Sequence, residues 1–153
     1  MTAGAVRVTD GRAEDAERLS DLALISKGHW GYDAAFLEAC RAELTLTPAQ
    51  AATARLARDG DEVLGFHLLG AHLGQGELLM LFVEPSAIGR GVGRLLLDDA
   101  QRTAGRRGWT TLRIESDPGA EGFYLVNGAR RVGSVPSGSV AGRELPLLEL
   151  PVT

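Results

Sequence analysis

The sequence predicts a single α/β domain over residues 1–153, with a mixed and mostly antiparallel sheet flanked by helices, and three observations carry that reading. Segments of two-residue alternation exchange with segments of 3.6-residue period along the whole chain, with no internal repeat and no linker. The run Leu78-Leu79-Met80-Leu81-Phe82-Val83 is apolar on both faces, as a strand covered on both sides must be. A glycine-rich turn from Gly89 to Gly93 then joins that strand to an amphipathic helix.

In order, Val6 to Val8 supplies a short strand, and Asp10-Gly11 turns toward Glu14 and Asp15, acidic residues suited to a helix N-terminus. Ala16, Leu19, Leu22, Ala23 and Ser26 form the inner stripe of that helix. A second helix is expected after Asp33 as N-cap, with Phe36, Leu37, Cys40 and Leu44 at helical spacing and Pro48 as its stop. Between the two lies an aromatic loop, Lys27-Gly28-His29-Trp30-Gly31-Tyr32. Thr53 to Arg58 and Val63 to Leu69 flank Asp59-Gly60-Asp61-Glu62, a hairpin with a turn of about four residues. A turn around Gly74-Gln75-Gly76 leads into the apolar strand Glu77 to Glu84, which Pro85 ends.

Past the glycine turn, Val92, Leu95, Leu96, Ala100, Thr103 and Ala104 recur at helical spacing, leaving Arg94, Asp98, Asp99 and Arg102 for the wet side. Gly105 and Gly108 close the helix, and Thr110 to Ser116 alternates as a strand. Ala120 to Val126 makes a short helix capped by Asn127-Gly128. Two strands remain near Arg131 to Val135 and Leu145 to Leu150, where Pro146 and Pro151 suit an edge. The predicted order is β-α-α-β-β-β-α-β-α-β-β.

Composition narrows the function classes. A net charge of −4, from 16 Lys+Arg and 20 Asp+Glu without a basic block, argues against nucleic acid and is compatible with cationic amine substrates. One cysteine, Cys40, cannot form an internal bridge, and no paired Cys or Cys/His set suggests a metal, so no metal is expected and a reducing, cytoplasmic setting is the default. Met1 to Asp10 lacks the basic start and apolar run of a secretory signal. No apolar run approaches the roughly 20 residues that span a bilayer, so no membrane partner is expected.

Ile88-Gly89-Arg90-Gly91-Val92-Gly93-Arg94 puts unpaired N–H groups and the positive end of a helix dipole at one spot, an arrangement that binds phosphate. A dinucleotide fingerprint starting at Gly89 and Gly91 would need glycine where Arg94 stands, and the Gly-Lys-Ser/Thr cradle is absent. A turn that serves only close strand–helix packing is the alternative.

With Val83-Glu84-Pro85 before it and Leu95-Leu96 after it, the turn resembles motif A of the general N-acetyltransferase (GNAT) superfamily, Gln/Arg-x-x-Gly-x-Gly/Ala, with Ile88 where Gln or Arg is usual. Asp117-Pro118-Gly119-Ala120-Glu121-Gly122-Phe123-Tyr124-Leu125-Val126-Asn127-Gly128 is similar to that family's Asn-x-x-Ala-x-x-Phe-Tyr-x-x-x-Gly segment, with Asp117 for the usual Asn and Ala129 for the usual Phe. The resemblance implies a sheet splayed between its fourth and fifth strands, with the coenzyme's pantetheine in the gap. It implies acetyl-CoA as cosubstrate, held by Phe82, Val83, Ile88, Gly89, Arg90, Gly91, Val92, Gly93, Arg94, Asp117, Ala120, Phe123 and Tyr124. It further implies direct transfer of acetyl to an amine, a small molecule or a peptide N-terminus.

An amine with a lysine-like pKa of about 10.4 is almost wholly protonated at pH 7, so transfer needs help in deprotonation. Glu77, at the spacing where some GNAT branches carry a glutamate, is the first candidate base; Glu84 and His29 are weaker ones, and a water chain is an alternative. The backbone N–H of Leu81 is the candidate for stabilising charge on the acetyl oxygen, and Tyr124 for protonating the leaving sulfur. In the family the acceptor usually enters opposite the coenzyme, which implicates His29, Trp30, Tyr32, Glu38 and the Ser137 to Arg143 loop; Trp30 and Tyr32 could hold an ammonium by cation–π contact. His67 and His72 read as ordinary surface or core histidines, and Cys40 as a small core residue. A homodimer stays open, as does a non-catalytic acyl-CoA-binding module.

Overall fold

The computed structural model describes residues 5–152. Its elements are β1 (Arg7–Asp10), α1 (Ala16–Gly28), α2 (Ala34–Cys40), α3 (Pro48–Thr53), β2 (Arg55–Asp59), β3 (Glu62–His72), β4 (Gln75–Val83), α4 (Val92–Arg106), β5 (Thr111–Glu115), α5 (Glu121–Val126), β6 (Arg130–Pro136) and β7 (Glu144–Pro151). The strands form one seven-stranded sheet in the order β1-β2-β3-β4-β5-β7-β6. Every pairing is antiparallel except β4 with β5.

Helices cover both faces. On one, Leu19, Leu22, Cys40 and Ala51 from α1, α2 and α3 pack over Leu56, Phe66 and Leu68. On the other, Leu97, Ala100 and Ala104 of α4 meet Leu112, Ile114, Leu148 and Leu150, while Val92 and Leu96 meet Ala57 and Leu64. The doubly apolar β4 is therefore central, as its sequence requires.

Several boundaries depart from expectation. Helix α2 does begin with Asp33 accepting a hydrogen bond from the Phe36 N–H, but it ends at Cys40, and Pro48 opens α3 rather than closing α2. Thr47 accepts from the Gln50 N–H while the Gln50 side chain accepts from the Thr47 N–H, a capping box legible in Thr47-Pro48-Ala49-Gln50. The β2–β3 turn is two residues rather than four, since Asp59 pairs with Glu62 and Gly60 sits at φ +60°. The next turn is centred on Leu73 and Gly74, both with positive φ, and Gln75 already belongs to β4. Strand β7, which holds Pro146 and Pro151, lies between β5 and β6, so β6 and not β7 is the edge. Pro146 is tolerated there because Leu147 is the first β7 partner of β5, and the Pro146 carbonyl accepts from the Ser116 N–H at 2.9 Å.

The sheet opens where the site lies. Strands β4 and β5 are in register only at Gly76 with Leu112 and Glu77 with Arg113. At that joint the Trp109 indole crosses the backbone, and a Cβ on Gly76 would fall 2.5 Å from it. Leu68 faces Met80 but Leu69 faces Leu78, so Leu79 is an extra residue in β4, a bulge that bends the strand away from its neighbour.

Candidate active site

The opening of the sheet leaves the β5-facing edge of β4 unpaired beyond Glu77. The Glu84 N–H donates to the Leu64 carbonyl at 2.7 Å, toward β3. Amides alternate along an antiparallel edge, so those of Val83 and Leu81 point the other way, into the gap.

Beyond β4, a tight turn at Pro85–Ala87 delivers the chain to Gly89 and Gly91, at φ +91° and +78°. Gly91 is the N-cap of α4 and supplies no side-chain hydrogen bond, so the first-turn amides of Val92, Gly93 and Arg94 have no side-chain cap. Gly93 meets a different demand: a Cβ there would press on the Phe123 ring at 3.3 Å, and its absence lets α5 approach the start of α4.

One cleft of about 750 Å³ joins these features. It starts at Ile88, Gly89, Gly91, Val92, Gly93 and Arg94, passes Leu81, Phe82, Val83, Ala120, Phe123 and Tyr124 in the gap, and continues to Ser26, Lys27, His29, Trp30, Glu43, Leu44 and Gln50 beneath α1. Tyr124 is buried, and burial first, then the charge of Asp117, pushes its phenol pKa well above the usual tyrosine range. It is thus a neutral O–H at any ordinary pH.

The GNAT acetyltransferase domain profile matches residues 16–138. The chain belongs to the GNAT acetyltransferase family. The fold agrees with solved structures: the PaiA N-acetyltransferase of Thermoplasma acidophilum in complex with coenzyme A is 20% identical over 96% of this chain and 99% of that one, with a TM-score of 0.75. A GCN5-related N-acetyltransferase from Rhodopseudomonas palustris is 20% identical over 99% and 98%, with a TM-score of 0.79. A ribosomal-protein alanine N-acetyltransferase from Escherichia coli is 15% identical over 97% and 95%, with a TM-score of 0.69.

Within this GNAT domain the expected residues divide. Arg94 lines the cleft, whereas the Arg90 guanidinium is drawn off to Asp59 at 3.1 Å. Glu77 lines the cleft but is buried and paired with Arg113 at 2.8 Å through Oε2, and Arg113 also pairs with Glu115. Glu84 is held by Arg18 at 3.2 Å and faces away. His29 and Trp30 stand at the cleft's rim, with the Trp30 ring laid against Gly119. Glu38 instead pairs with Arg41 on the surface at 3.0 Å and lies outside the cleft; in the segment after α2, Glu43 is the carboxylate that lines it.

Asp117 and Tyr32 belong to a charged cluster the sequence did not announce. Asp117 accepts from the Lys27 ammonium at 2.6 Å, the Tyr32 hydroxyl at 3.0 Å, the Gly119 N–H at 2.8 Å and Arg143 at 3.4 Å. Burial opposes its charge, but the bonds from Lys27 and Gly119 outweigh that cost and hold its pKa below the ordinary carboxylate range. Tyr32 does engage cations, but those of the protein itself: Lys27 lies 5.5 Å and Arg143 5.1 Å from its ring centre. The aspartate in place of asparagine at 117 is thus matched by two cations.

His67 and Asp99 lie outside the cleft. Asp99, expected on the wet side of α4, is buried, with His67 Nε2 at 2.8 Å and a bidentate Arg55 at 3.1 Å. Among the described residues no group of three His, Cys, Asp or Glu could hold a metal ion, and no helix is long and apolar enough to cross a membrane.

Proposed function

We propose that this domain transfers acetyl from acetyl-CoA to an amine by direct attack within a ternary complex. The observation that carries the reading is the single cleft running from the uncapped amides of α4, through the β4–β5 gap, to the opposite face of the sheet. The coenzyme fits this geometry. Two positive-φ glycines with open space above them, three first-turn amides and Arg94 suit a diphosphate, and the apolar gap suits a pantetheine arm.

Acetyl-CoA supplies the activated acyl group; the residues do the rest. The Leu81 N–H, aimed into the gap, stabilises negative charge on the acetyl oxygen. Glu77, whose Oε1 has no protein partner among the described residues, takes the amine's proton directly or through water while Arg113 fixes the other oxygen. As the C–N bond forms and the C–S bond breaks, Tyr124 gives its proton to the departing sulfur and regains one through water as Glu77 releases the proton it took. The products are an N-acetylated amine and the free thiol. His29 and Trp30 border the acceptor's entrance. The alanine acceptor named for the Escherichia coli structure keeps a peptide N-terminus beside small amines in the reading.

Calorimetric titration with acetyl-CoA, followed by thiol release across an amine panel, tests it. Uptake followed by release is expected. No uptake overturns the proposal, and uptake without release on any acceptor would favour an acyl-CoA-binding module instead.

A further inference from the structure

The acceptor half of the cleft has an uneven distribution of charge. Lys27 pairs with Asp117, and Arg143, which does not line the cleft, is held by the Tyr32 hydroxyl and Asp117. Leu44, Leu68, Met80 and Phe82 give this half an apolar floor. One charged group there has no partner among the described residues, the Glu43 carboxylate, and space is kept for it. A Cβ on Gly138, in the loop between β6 and β7, would collide with that carboxylate, whose Cδ is 3.5 Å from the position such a Cβ would take.

We infer that Glu43 is a specificity-determining residue that binds a second cation on the acceptor, and that the preferred acceptors are aliphatic amines with another ammonium at the far end. This rests on the proposed acetyl transfer. One nitrogen loses its proton and is acetylated; the other stays protonated and pairs with Glu43, while the alkyl chain between them covers the apolar floor. An acceptor with a carboxylate at its far end meets no unpaired cation among the described residues lining this half of the cleft and is repelled by Glu43. Glu43 is exposed, so the pair contributes modestly, about two- to fivefold.

The probes are 1,6-diaminohexane, hexylamine and 6-aminohexanoate, with the four- to eight-carbon homologues, compared by kcat/KM and by calorimetric binding to the coenzyme A-loaded protein. The expected order is diamine, then monoamine, then amino acid, with a diamine-to-monoamine kcat/KM ratio of about four to ten, a factor of about two of it coming from the diamine's two equivalent nitrogens. Glu43→Gln should bring that ratio down to about two, the value set by the two equivalent nitrogens alone, and Gly138→Ala, which displaces the carboxylate without removing it, should lower it part-way. A wild-type ratio of about two or less, or a larger preference that survives Glu43→Gln, overturns the inference. Calorimetry reads diamine binding without turnover, so loss of this subsite is distinguishable from failure of the acetyl-transfer proposal, in which no amine releases thiol.

Discussion

Replacing Asp117 by alanine tests the charged cluster that ties α1, the turn before α5 and the β6–β7 loop together at the cleft. The substitution removes the acceptor for Lys27, Tyr32 and the Gly119 amide at once and leaves Lys27, whose side chain is 13% exposed, without its counter-charge. Breaking a buried pair from one side costs about 3–5 kcal/mol. Lys27 keeps the Tyr32 and Phe36 rings at 5.5 and 5.9 Å. Those rings leave the remaining ammonium partly compensated, so the loss is expected at the low end of that range, about 3 kcal/mol. At roughly 2–4 °C per kcal/mol for a domain of this size, Tm falls by about 6–12 °C. Asp117→Asn retains a carbonyl oxygen for Tyr32 and Gly119 and should lose less.

The loss also has a pH signature. Asp117 holds its proton less tightly folded than unfolded, so its contribution is complete above the unfolded carboxylate pKa of about 3.9 and disappears as pH falls through the lower folded value. Urea unfolding of wild type and Asp117→Ala at pH 7, 5 and 3 measures both effects. A gap under about 1 kcal/mol at pH 7, or a gap that does not narrow toward pH 3, refutes the reasoning.

Tyr124→Phe should lower kcat by about a hundredfold while leaving acetyl-CoA affinity within about twofold, since a proton donor acts only as the sulfur departs. Unchanged turnover would remove the hydroxyl from the mechanism. Gly91→Ala forces an L side chain into φ +78° and should cost about 1–2 kcal/mol by urea unfolding, with weaker calorimetric binding of acetyl-CoA. Both tyrosines, Tyr32 and Tyr124, are raised in pKa, chiefly by burial, so absorbance at 295 nm should show fewer than half the phenols ionised at pH 10 in the native protein and a rise on adding denaturant. Equal native and denatured titrations would contradict that burial.

Local sequence specified the proposed coenzyme half of the site because its parts are local. A doubly apolar strand, two glycines that accept positive φ and an amphipathic helix lie within Leu78 to Ala104, so the anion-binding end of α4 is written in consecutive residues. Gly93 read as part of the same cradle, and the structure gives it a second duty as the surface on which Phe123 rests. Helix α3 was equally legible in its capping box, but Pro48 was read as a stop for the helix before it when proline is as well suited to the first position of the helix after it.

The proposed acceptor half is assembled from distant segments, and only the tertiary structure decided its make-up. The bonds of Asp117 to Lys27 and Tyr32 span 90 and 85 residues, and that of Arg143 to Tyr32 spans 111. No periodicity relates positions so far apart. Asp99 makes the same point inside the core: helical spacing assigned it to water, and partners on β2 and β3, 44 and 32 residues away, allow it to be buried. Sequence alone determined that the amides at the start of α4 lack a side-chain cap, because Gly91 precedes them, whereas the open edge of β4 depends on its register with β5. Which charged side chains neutralise one another, and hence that Glu43 is left over at the acceptor's end, was decided by packing, because a counter-charge is fixed only when the fold brings it within a few ångströms.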